Sequence, residues 1–166
     1  MASSVFAIRG DQIQILDEFS GYPETETLAR TLVNRYKGHK IFAYPDPSGN
    51  ARKPSAPIGR TDFTILESYG IRVLSKPKAP PIIDSVNAVN RKLLTADGDI
   101  SLFISPKCKE LITSLERTKW VNRDPNTATI DKSENIEHFS DGIRYAVDYL
   151  FPIQNSRTKV VRSKMF

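Results

Sequence analysis

The polar and apolar positions of the chain change rhythm several times, and each change marks an element. In "SSVFAIRG" and "DQIQILDEF" they alternate with a period of two, as half-buried strands do, and Arg9-Gly10-Asp11 between them supplies hairpin-turn chemistry. "TETLARTLVNRYKG" switches to helical spacing through Leu28, Leu32 and Tyr36, with Gly38 as the expected C-cap. "KIFAYPD" is a short apolar run that predicts a buried strand breaking into a loop at Asp46, inside Pro45-Asp46-Pro47-Ser48-Gly49. "TDFTILESYG" predicts a helix opened by Thr61 and closed by Gly70, and "IRVLS" a short strand after it.

Beyond the proline-rich "KPKAPP", "DSVNAVNRKLL" places Val86, Val89 and Leu93 on one helical face, with Asp84 set to cap its amino end. "DISLFIS" predicts a strand. "SPKCKELITSLERTKW" predicts a helix with Ser105 at the N-cap and Pro106 at N1, whose buried face is Cys108, Leu111, Ile112 and Leu115. The polar "VNRDPNTATIDKSEN" then leads to "EHFSDGIRYAVDYLF", where Phe139, Ile143, Val147 and Leu150 recur at helical spacing and Asp141 stands off the stripe in the first turn. A hairpin followed by alternating helices and strands predicts an α/β fold: a mixed sheet, antiparallel at one edge and parallel beyond it, with helices on both faces.

The 166 residues are the size of one domain, expected over 1–152, with a basic tail over 153–166. A hydrophobic fraction of 39% and a charged fraction of 26% argue against disorder and against a membrane-spanning protein. The N-terminus has no signal-peptide core, and the single Cys108 forms no internal disulfide, which points to a reducing compartment. Cys108 is expected in the core. Twenty-four Lys plus Arg against nineteen Asp plus Glu leave a formal charge of +5 and favour an anionic partner. Arg52, Lys53 and Arg60 in an apolar-poor loop, and Arg157, Lys159, Arg162 and Lys164 in the tail, are the candidate phosphate contacts; a basic tail is as often a solvated terminus.

The candidate chemistry rests on Asp46, at the carboxyl end of a strand, and Asp141, on the first turn of the last helix. Singly each has a plain structural reading, as a turn residue or a partner of the helix dipole. As a pair from distant chain positions they match what Mg²⁺ or Mn²⁺ uses when phosphate oxygens complete its shell. Two ions ~3.5–4 Å apart normally draw on three or four carboxylates. Asp17, Glu18, Asp62, Glu67, Glu137 and Asp148 are the other acids weighed, and spacing makes none of them the missing ligand. Asp148, seven residues beyond Asp141, lies roughly 10 Å further along the helix. The chain has no G-x-x-x-x-G-K-[ST], G-x-G-x-x-G or G-x-S-x-G motif, and pairing Cys108 with His39 or His138 has no local support.

At "YPDPSGNAR" and "HFSDGIRYAVDYL" the chain resembles the nuclease domain of the large terminase subunit of tailed bacteriophages, an RNase H-like fold. That family has a Y-P-D-P-x-G-like turn after a core strand and an H-x-x-D-[AG]-x-R-Y-A signature on a late helix. The order of the intervening elements is similar as far as Pro152. The resemblance implies a Mg²⁺- or Mn²⁺-dependent endonuclease with Asp46 and Asp141 as metal ligands, His138 either orienting or shielding the site or serving structurally at the helix start, and Arg144 and Tyr145 supporting the helix face or contacting DNA. It implies double-stranded DNA, the terminase ATPase domain and small subunit, and the portal as partners, in the host cell cytoplasm. The family's first strand carries a further aspartate, and no counterpart stands before "MASSVFAIRG"; the sheet is therefore expected to show an unpaired gap or edge. Two alternatives remain open: a catalytically silent DNA-binding or assembly module, and another RNase H-like enzyme such as a resolvase or transposase.

Overall fold

Strands β1 (Ser3–Arg9) and β2 (Gln12–Phe19) form the expected antiparallel hairpin, and Gly10 at its turn takes a φ of +62°, a left-handed value that glycine adopts without strain. The computed structural model of the chain describes residues 1–51, 59–124 and 127–153. Helix α1 (Thr25–Arg35) follows, then β3 (Phe42–Ala43), a one-turn 3₁₀ helix (Pro47–Asn50), α2 (Asp62–Ser68), β4 (Arg72–Val73), α3 (Ile82–Leu93) and β5 (Leu102–Ile104). The chain continues through α4 (Lys109–Arg117), β6 (Trp120–Asn122), β7 (Thr129–Ile130) and α5 (His138–Leu150). Among the described residues no helix is long and apolar enough to cross a membrane.

The fold is α/β with a mixed sheet, and its strands are divided. β2 pairs antiparallel with β1 and parallel with β5, in the order β1-β2-β5, while β3 and β4 form a separate parallel pair. Each strand group has its own core. Ile13, Ile15 and Leu102 of the three-stranded sheet pack with Ala88 and Val89 of α3, Cys108 and Leu111 at α4, and Phe139, Ile143 and Val147 of α5. Ala29 of α1, Leu66 of α2 and Ile71 form the second cluster, against which Ile41, Ala43 and Val73 are partly buried. Tyr44 joins the two: its ring lies 5.8 Å from that of Phe6 on β1 and 5.4 Å from that of Tyr149 on α5.

Several expectations need correction. The buried strand expected over "KIFAYPD" is two residues long, and Phe42 is 45% exposed, because β4 is its one hydrogen-bonded neighbour among the described residues. Helix α1 ends at Arg35 and not at Gly38. Helix α3 begins at Ile82, so Asp84 lies inside its first turn and does not cap it. Helix α4 begins at Lys109, not after Ser105, because its leading amides are satisfied from elsewhere: the Glu18 carboxylate on β2 accepts from the N–H groups of Glu110 and Leu111 at 3.0 and 2.9 Å. The polar "VNRDPNTATIDKSEN" contains the β6–β7 hairpin, which was not expected there. Cys108, just ahead of α4, is fully buried in the core, as expected.

Candidate acidic site at the carboxyl end of the parallel strand pair

Asp46 owes its position to the way the chain leaves β3. Its backbone stands just ahead of the 3₁₀ turn, where its Oδ1 accepts the Ser48 N–H at 2.8 Å and its carbonyl accepts the Gly49 N–H at 3.0 Å. Gly49 is there for space, since a Cβ at that position would stand 3.0 Å from the Phe63 ring of α2. The turn is thereby pressed onto α2 and aims Asp46 at α5.

On α5, burial of Phe139, Ile143 and Val147 sets the rotation of the helix. That rotation sets Asp141, Arg144 and Tyr145, related by i, i+3 and i+4, on one side of the helix, with Tyr145 reaching the loop after β3. Arg144 is 5% exposed; its Nε and Nη2 donate to Asp141 Oδ1 at 3.1 and 2.6 Å, and its Nη1 donates to Ser85 Oγ of α3 at 2.6 Å. The guanidinium also lies over the Tyr145 ring. Tyr145 Oη donates to Asp46 Oδ2 at 2.9 Å. Asp46 and Asp141 thus approach adjacent residues of one helix turn, and the Tyr145 phenol feels the charge of both. Lys132 Nζ stands 3.3 Å from Asp141 Oδ2.

These contacts set the protonation chemistry. Burial works to raise the Asp46 carboxyl, but the Ser48 amide, the Tyr145 hydroxyl and the Arg144 charge outweigh it and hold the group below its ordinary 3.8. Burial first, then the bond to Asp46, push the Tyr145 phenol up to about 12. The depressed carboxyl stabilises the fold above pH 3.8, and that contribution is lost as pH falls through its folded value; the raised phenol stabilises below its ordinary 10.0 and loses its contribution as pH rises toward about 12. Ultraviolet titration of the six tyrosines is expected to show one phenol ionising near 12, returned toward 10.0 in Asp46→Asn. Identical titration of both proteins would contradict the Asp46–Tyr145 bond.

The other predicted residues are placed differently. His138 is exposed, with Nδ1 3.8 Å from Glu137 Oε1, and lines a separate cleft of about 400 Å³ with Met1, Ser20, Glu110 and Phe139. Arg60 is ion-paired with Glu26 of α1, which engages its charge within the chain. Arg52, Lys53 and the tail from residue 154 onward lie outside the described residues, while Ile153 packs on the first core. Asp17 is held by Arg35, Lys107 and Tyr36. Asp148, on the same helix face as Asp141, pairs with Lys76, a residue sequence reasoning passed over in "KPKAPP".

Two carboxylates supply hard oxygen donors of the kind a divalent cation takes. They fall short of a two-metal centre: among the described residues no group of three or more His, Cys, Asp or Glu gathers where an ion could be held. Both Asp46 oxygens and Asp141 Oδ1 already accept hydrogen bonds from protein donors. No protein-family model, no curated protein and no solved structure matches the chain.

Proposed function

We propose that the chain belongs to a metal-dependent DNA endonuclease domain of the terminase type, with an RNase H-like fold, that cuts concatemeric viral DNA during genome packaging. The observation that carries this reading is the approach of Asp46 and Asp141 to the adjacent Arg144 and Tyr145, at the carboxyl end of a parallel strand pair. Open α/β sheets collect their ligands at such ends. In the complete site Mg²⁺ or Mn²⁺ would activate water and stabilise the leaving oxygen of a phosphodiester. This chain's own contribution is to hold two carboxylates oriented, Asp141 through the Arg144 fork and Asp46 through Tyr145 and Ser48.

The divided sheet supports a further aspartate-bearing strand. β1 and β3 are each paired on one side only among the described residues, and the Phe6–Tyr44 contact brings them together. The buried Ser4 hydroxyl oxygen on β1 has no partner among the described residues. An added strand between these edges would join the two cores and bring its side chains to the same end as Asp46.

A second reading, a silent module that binds DNA or the packaging assembly, is favoured by the engagement of both aspartates with protein donors. Plasmid nicking separates the two. With the sequence encoded upstream of Met1 included, Mn²⁺-dependent nicking is expected, and Asp46→Ala or Asp141→Ala each reduces it by 10²-fold or more on the order-of-magnitude scale for loss of a site's electrostatic groups. Nicking that survives both substitutions removes the proposed site. Salt-sensitive DNA retention without nicking, indifferent to both aspartates, establishes the module instead.

A further inference from the structure

Parallel strands place register-equivalent residues side by side, about 4.8 Å apart across the ladder. Phe42 pairs with Arg72 and Ala43 with Val73, so the loops that carry Asp46 and Lys76 leave the same end of the strand pair. The loops stay together beyond the ladder, with Ser75 Oγ donating to the Pro45 carbonyl at 3.5 Å. Both loops are also anchored to α5, one turn apart: Asp46 by Tyr145, and Lys76 by its ion pair with Asp148. The Asp148 side chain is 7% exposed and that of Lys76 36%, so the acid is interior and the base reaches the surface.

An ammonium has three donors and Asp148 Oδ2 takes one of them. A buried carboxylate holds the long lysine side chain in one orientation, which removes the entropy that a solvated lysine loses on contacting a ligand. Beside the acidic pair, such a fixed and partly exposed cation suits an anion brought in against the carboxylates. Resting on the endonuclease reading, we propose that Lys76 contacts the phosphodiester backbone next to Asp46 and that Asp148 is its positioning residue.

The test is binding of a short fluorescein-labelled DNA duplex to the full chain in metal-free buffer, followed by anisotropy across a salt series. Each neutralised phosphate contributes about 0.9 to the slope of log K against log salt. Lys76→Ala is expected to lower the slope by about that amount and to weaken binding several-fold at low salt, while Lys76→Arg keeps the slope. Lys76→Arg also preserves the pair with Asp148, so it guards against loss of folding as the explanation. A lysine serving only as a latch would leave the slope of Lys76→Ala unchanged while lowering its denaturation midpoint, and that result overturns the proposal. Absence of duplex binding by the unsubstituted chain overturns it as well. Neither result decides the nuclease reading, which stands or falls on Asp46- and Asp141-dependent nicking.

Discussion

Arg144→Ala is expected to destabilise the protein by about 3 kcal/mol, measured by chemical denaturation. The guanidinium is 5% exposed and satisfies Asp141 with two donors and Ser85 with a third, tying α5 to α3 at the base of the acidic site. Removing one member of a buried ion pair leaves its partner desolvated and unpaired, a loss of ~3–5 kcal/mol. The lower end applies because the Asp141 side chain keeps 16% exposure and has Lys132 nearby. Asp141→Asn placed on top of Arg144→Ala is expected to recover part of the loss, since the uncompensated charge is then gone. Additive losses in the double variant would show that the pair is not coupled. Arg144→Lys is also expected to be destabilising, because one ammonium cannot reproduce a fork that reaches both Asp141 and Ser85.

The second large effect lies at Leu111. It is fully buried in the cluster that Ile13, Ile15 and Leu102 of the three-stranded sheet share with Phe139, Ile143 and Val147 of α5. Leu111→Ala is expected to reduce unfolding free energy by ~2–5 kcal/mol, combining lost transfer energy with the cavity left behind. Leu94, 60% exposed, serves as the control, and Leu94→Ala is expected to change stability by less than about 0.5 kcal/mol. Equal losses at both positions would place Leu111 outside the core. Leu111 also supplies one of the two amides held by Glu18, so a shift there loosens the link between β2 and α4.

Why the two aspartates were legible is physical. A strand that ends in Tyr-Pro-Asp-Pro must turn, and an acid in the first turn of an amphipathic helix but off its apolar stripe must face something other than the core. Arg144 and Tyr145 were legible as neighbours of Asp141 on the helix, but not as the bridge between the acids. That bridge depends on where α5 lies over the loop after β3. His138 shows the limit of motif spacing: it is one turn from Asp141, yet it lines the cleft on the α4 side.

Local pattern by itself determined the β1–β2 hairpin, the burial of Cys108 and Leu111 at α4 and of Phe139, Ile143 and Val147 on α5, though not of Ile112 or Leu150, which are partly exposed, and the two acids as candidates, because turn chemistry and side-chain periodicity act within a few residues. Tertiary structure alone decided where α4 begins, since Glu18 on β2 caps it from 92 residues away, and how α5 is joined to α4, since Ser114 Oγ accepts the Ser140 N–H at 3.0 Å. It alone revealed the β6–β7 ribbon, whose Val121 is 70% exposed and leaves no alternating imprint. It alone brought the loops carrying Asp46 and Lys76 to the same end of the β3–β4 pair and gave Lys76 Asp148 as partner, because register between strands thirty residues apart is chosen by packing and hydrogen bonding across the fold.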